Sequence, residues 1–177
     1  ARRITPDDAE VLRALVRLYR ETSQVPKALE ALSDLGMVLS SRAERREVFV
    51  EMARIHHEQQ GDALAAVQAL NAALDVDPDH VEPFSRIEQI LFEARAWPAL
   101  EENYKRMLAR VPKERRKQRA VLWRSLAELY VRALDDEDGA RIAYEVLHRL
   151  EPEDHGVTAS LARLYARVPD KRGAAAE

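Results

Sequence analysis

The sequence predicts an all-α fold: antiparallel helix pairs stacked in series as a solenoid. Three observations predict it. Apolar residues recur at helical spacing, as in Leu12, Leu15, Val16, Leu18 and Tyr19 or Trp123, Leu126, Ala127, Leu129 and Tyr130, and no useful stretch alternates with period two. Breakers interrupt these runs at short intervals. The chain also repeats itself: Ala- and Leu-rich segments such as GDALAAVQALNAALDVDP end at Pro78, Pro112 and Pro152, and the first two of these prolines stand 34 residues apart. A fixed period of 20 to 50 residues is the signature of a solenoid.

Pro6, Asp7 and Asp8 open the first helix, predicted over 7–22, and place acids where the helix dipole favours them. The second, 25–39, carries Ala28, Leu32 and Leu35 on one face. The third, 43–60, carries Phe49, Met52, Ala53 and His56, and the fourth, 62–76, carries Ala66, Leu70 and Ala73. After Pro78 come 81–95, with Phe84, Ile87 and Leu91, and 97–110, with Leu100, Tyr104 and Met107. After Pro112 come 116–133, with Trp123, Leu126, Ala127 and Tyr130, and 137–149, with Ala140, Tyr144 and Leu147. Pro152 stops that helix, and a last one over 154–167 shows Leu161, Ala162 and Tyr165.

Aligned on the prolines, these residues fall into one register. Large Leu12, Phe49, Phe84 and Trp123 are followed by Leu15, Met52, Ile87, Leu126 and Leu161; then come Val16, Ala53, Ala127 and Ala162, and then Tyr19, His56, Leu91, Tyr130 and Tyr165. This order of large, small, aromatic and proline positions resembles the tetratricopeptide repeat, a 34-residue helix–turn–helix unit, and the resemblance implies that the solenoid is a right-handed superhelix. The resemblance covers Ile4 to about Val168 and divides the chain as follows: 1–8, the tail of a preceding repeat; 9–41, 42–79, 80–113 and 114–153, four repeats; 154–168, a terminal capping or half-repeat helix; 169–177, a disordered tail. Small residues let the paired helices approach, and aromatic ones fill the wedge to the next pair. Units two and four carry one extra residue between the aromatic position and the second helix: His56 and Ala66 are ten apart, Tyr19 and Ala28 nine. The first unit ends in LSSRAERRE instead of proline, and the third carries Glu88 and Leu100 where small residues are expected, which predicts looser packing there.

Both ends read as cut, and the chain does not begin with Met, so a segment of a longer array is expected. The last helix would then expose Leu161, Leu164 and Tyr165. Compartment is not legible, with the cytoplasm as the default; Ala-, Arg- and Leu-rich usage suits a GC-rich bacterial genome.

Composition excludes several classes. With 28 Lys+Arg against 31 Asp+Glu among 177 residues the net charge is −3, which gives no global field to hold nucleic acid or an anionic membrane. Cysteine is absent, so disulfides, zinc thiolates and thiol catalysis fall away. His56 and His57 are adjacent on a helix and point apart, so they do not clasp a metal; His148, seven residues before His155, reads as solvated. No Gly-rich phosphate loop or nucleophile elbow is present. No enzyme, cofactor or metal is expected. The basic run KERRKQR, from Lys113 to Arg119, has no interleaved aromatic for base stacking and reads as a solvated turn.

The resemblance implies a protein-interaction scaffold, with a concave surface lined by first-helix residues outside the packing register. Carried over, these are Arg13, Arg17 and Arg20, then Arg54 and His57, then Arg86, Gln89 and Phe92, then Arg124 and Glu128, and last Arg163. Arg13, Arg17 and Arg20 share one helix face. Such arginines would fork onto the carboxylates of an acidic protein or peptide, with Phe92 as an apolar anchor, unless Glu10, Glu47, Glu51 and Glu82 neutralise them. The subclass that clamps chaperone C-termini needs Asn at positions held here by Arg17 and Glu51, so that partner is not expected. The alternative is a structural spacer, or a homodimer formed through the exposed terminal helix.

Overall fold

A computed structural model describes residues 6–167. Among them are helices α1 Pro6–Glu21, α2 Val25–Val38, α3 Arg42–Glu58, α4 Ala63–Val76, α5 Glu82–Glu93, α6 Trp97–Arg110, α7 Arg116–Leu129, α8 Glu137–Leu150 and α9 His155–Arg167, with a π-helical turn at Tyr130–Leu134 and no strand. The chain divides into two compact units, one holding α1–α5 and the other α6–α9, with the division between Arg95 and Ala96. It falls inside the third predicted repeat, the one carrying Glu88 and Leu100. Within each unit every helix packs on its neighbour in sequence, so the fold is the all-α, tetratricopeptide-like array of helical hairpins that the register implied. The predicted tail 169–177 and the first five residues of the predicted lead-in lie outside the described residues.

The small register positions do what their size suggests. Ala28, Ala53, Ala66, Ala127 and Ala140 are all buried, so the paired backbones approach closely around them. In the first unit Val16, Leu32, Leu35, Val48 and Ile55 form a continuous apolar cluster with Leu12, Leu15, Tyr19 and Met52 packed against it. In the second, Ala120, Leu147 and Val157 join α7, α8 and α9, flanked by Trp123 and Tyr144.

Proline acts at both helix ends. Pro78, Pro112 and Pro152 each follow the C-cap residue of a second helix, where the chain must leave the helical path. Pro26, Pro83 and Pro98 sit instead in the first turns of α2, α5 and α6, where no N–H is missed. Where the first repeat lacks a proline, Ser41 takes over: its hydroxyl accepts the Glu44 N–H and starts α3. Ser41 and Glu44 have the spacing of a capping box, a signal present in LSSRAERRE. Asp62, Asp136 and Asp154 cap α4, α8 and α9 in the same way.

Each turn from first to second helix contains one residue in the left-handed region: Ser23, Gly61, Arg95 and Asp135, with φ of 56°, 66°, 51° and 50°. The next N–H then reaches back to the aromatic register position. Gln24 donates to the Tyr19 carbonyl, Asp62 to that of His56 and Asp136 to that of Tyr130. The first bond closes over five residues and the other two over six, which accommodates the extra residue of units two and four. In the fourth pair the widening becomes the π-turn, so the helix expected over 116–133 is α-helical only to Leu129. Gly139 belongs to this device: a Cβ there would come within 2.9 Å of the Tyr130 ring and closer still to the Asp136 carboxylate.

Two expectations are corrected. The basic run is not simply a solvated turn. Arg119 donates to the carbonyls of Leu108 (2.6 Å) and Val111 (2.9 Å) and so caps α6, while Arg116 donates to those of Arg149 and Leu150 at the end of α8. A guanidinium placed there meets both the orphan carbonyls and the negative end of the dipole. The terminal helix does not expose all of its expected face either. Leu164 is buried and Leu161 half-buried, because α9 turns that side onto α8; Tyr165 alone stays exposed, its hydroxyl on Glu145.

Candidate functional site

Four of the predicted site residues meet in one open groove of about 340 Å³ in the first unit. Arg54 and His57 reach it from α3, Arg86 and Gln89 from α5, and Ala53, Leu70 and Ile90 supply an apolar floor. The convergence follows from the helix period. Positions 54 and 57 lie one turn apart on α3, as 86 and 89 do on α5, and both pairs fall beside the packing register rather than in it.

The charges around this groove are largely internal. Arg54 holds Glu51 through both Nε and Nη2 (2.9 and 2.8 Å) and reaches Glu58 at 3.2 Å. That fork keeps the Arg54 guanidinium protonated well above its usual range and holds the half-buried Glu51 carboxyl below its own, against the upward push of desolvation. Arg20 of α1 bridges to the same Glu51 at 2.9 Å. Arg86 is paired with Glu82, and Gln89 donates to Glu93. Arg13 is tied to Glu44 of α3 at 2.6 Å. Arg17, exposed, shares a recess on α1 with Glu10, Arg13 and Ala14 and makes no ion pair among the described residues. Phe92 is 64% exposed and lies outside the groove lining. Of the expected neutralising acids, Glu51 and Glu82 act on candidate arginines, while Glu47 pairs with Arg46 and Glu44 takes the place foreseen for Glu10.

In the second unit Arg124 and Arg163 line a groove of about 410 Å³ between α7 and α9. Arg124 is committed to Glu151 and to Asp154 (2.8 Å), a clasp from α7 to the turn before α9. Its guanidinium is raised, first by the Asp154 hydrogen bond. The Asp154 carboxyl is lowered, first by the Val157 N–H that it caps and then by Arg124. Arg163 is exposed, with no ion pair among the described residues. Register reasoning missed Val131, Arg132 and Ser160, which also line this groove. The π-turn carries the first two, and no sequence signal marked it, since unit two has the same extra residue without a π-turn.

Among the described residues no group of His, Asp and Glu is placed to hold a metal ion, and no helix is long and apolar enough to cross a membrane. No family model matches the sequence. No curated protein matches it either. Solved structures do resemble it. MamA from Desulfovibrio magneticus RS-1, residues 41 to the end, is 17% identical with a TM-score of 0.45, over 94% of this chain and 89% of that one. A tetratricopeptide repeat protein from Parabacteroides merdae is 13% identical with a TM-score of 0.47, over 90% and 61%. A thermophilic TPR protein of Thermus thermophilus is 21% identical with a TM-score of 0.42, over 92% and 84%.

Proposed function

We propose that the chain is a non-catalytic protein-interaction scaffold that holds an extended partner segment in grooves between successive first helices. One observation carries this reading: side chains excluded from the packing register, Arg54, His57, Arg86 and Gln89, gather on an apolar floor instead of scattering over the surface. Donors and acceptors around an apolar strip suit a peptide main chain with an apolar side chain beneath it. The arginines of this groove already hold Glu51, Glu58 and Glu82, so an acidic partner here would have to displace internal carboxylates.

Peptides selected from a random library against the wild-type chain supply the test. Replacing His57, Arg86 and Gln89 together by Ala should weaken the selected peptides by about tenfold or more, roughly the loss of one charge-assisted hydrogen bond. The helical content and melting temperature should stay near wild type, because all three side chains are at the surface. Equal binding by the folded triple variant would remove this groove from the function.

A further inference from the structure

The scaffold reading leaves open where acidity in a partner would be recognised, and the two grooves differ on that point. We infer that the groove between α7 and α9 receives an acidic peptide segment, its carboxylates on Arg132 and Arg163 and an adjoining apolar side chain over Val131, Val157 and Leu164.

The lining carries three arginines against one carboxylate, Glu128. Arg124 is satisfied by Glu151 and Asp154 and acts as a strut. Arg132 is 77% exposed and touches Glu128 only at 3.6 Å, beyond a good charge-assisted hydrogen bond. Arg163 has no ion pair among the described residues. Two cations with weak or no internal partners thus face one groove, whereas both arginines lining the α3/α5 groove are paired. The floor suits the apolar half of such a ligand: Val157 and Leu164 are buried, and Val131, on the π-turn, is 47% exposed at the rim. The π-turn that closes this helix, ended by the left-handed Asp135, carries both Val131 and Arg132 to the groove. The one aromatic side chain of the lining, Tyr144, packs against the core cluster, so a protein acid fits better than a stacked nucleic acid.

The proposal rests on the scaffold reading, and its test separates the two. The probe is a short fluorescein-labelled peptide of glutamates with two leucines, followed by anisotropy at low salt. It is compared with the same peptide bearing glutamine for glutamate, and with polyuridine. The acidic peptide should bind the wild-type chain about tenfold or more tighter than its amide counterpart. The double variant Arg132→Gln/Arg163→Gln should lose that preference. Lys113→Gln/Lys117→Gln, which removes two exposed charges of the same unit outside the groove, should keep it. Equal binding of both peptides, or acidic binding that survives the arginine double variant, overturns this inference and leaves the scaffold reading standing. Displacement of the peptide by polyuridine overturns it in favour of nucleic acid. A folded wild-type chain that binds neither these peptides nor any library peptide sinks both.

Discussion

Tyr130 stands where three requirements meet. Its carbonyl closes the widened turn, its ring lies against Gly139, and its buried hydroxyl donates to Glu101 Oε1 at 2.7 Å. Burial first, and then the Glu101 hydrogen bond, push the phenol up to about 12. Glu101 is itself held low, chiefly by Lys105, so it remains an ionised acceptor. A raised acid pKa stabilises the fold fully below the unfolded value, about 10 for tyrosine, and that contribution is lost as pH rises from there towards 12. Phenylalanine carries no proton to lose. At pH 8, Tyr130→Phe should cost about 1 kcal/mol for the missing hydrogen bond. Above pH 10 the wild type should lose this contribution while the variant has none to lose, so the difference shrinks and on the order of 2 kcal/mol is at stake by pH 12. Urea unfolding of both proteins at pH 8 and pH 11 reads this out, since every other titration is common to the pair. A gap of constant size would mean that the phenol is not held as described.

The helical hairpin is the element that the sequence made most legible. Boundaries followed from the prolines and from the repeat, because proline and helical periodicity act within a few residues. The turn itself was legible only as a count of one extra residue in units two and four. Neither its left-handed residue nor the π-turn could be read, because both depend on which carbonyl the returning N–H finds. The ion pairs were illegible for a related reason. Arg13 and Arg20 choose Glu44 and Glu51, each 31 residues on, and that choice is made by the packing of α1 beside α3. The four turns nonetheless make a controlled comparison. A left-handed residue with a Cβ costs roughly 1–2 kcal/mol, while glycine avoids that cost but loses more chain entropy on folding. Gly61 has open space around its missing Cβ, so Gly61→Ala should destabilise by about 1 kcal/mol through the backbone alone. Arg95→Gly should stabilise by up to about 1 kcal/mol. Denaturant midpoints of the two variants should therefore move in opposite directions. Shifts of the same sign would show that one of these turns does not hold its residue left-handed.

At the scale of the whole molecule, two candidates for the source of stability compete: the many ion pairs and the alanine- and leucine-lined seams. Some pairs bind helix to helix, as in Arg46 with Asp77 and Arg124 with Asp154. More lie within one helix, as in Arg54 with Glu58 and Arg86 with Glu82, and most of the groups involved remain partly in water. Exposed pairs contribute roughly 0–1 kcal/mol each, and salt screens them further. With 28 cationic and 31 acidic side chains there is also little net repulsion for salt to relieve. The seams work differently. Leu147 is fully buried against Ala120 and Val157, so trimming it leaves a cavity among three helices of one unit. Loss of a buried leucine side chain costs about 2–5 kcal/mol. In a protein of this size that is a fall in melting temperature of roughly 5–15 °C. The same reasoning explains why the fold was more legible than the site: seams need only size and spacing, which a sequence displays, whereas the worth of each arginine depends on a carboxylate chosen in three dimensions. Thermal melts at low salt and at half-molar sodium chloride should therefore nearly superimpose, while Leu147→Ala melts well below both. If salt lowered the melting temperature as far as Leu147→Ala does, the ion pairs would be the principal hold on the array and the seams secondary.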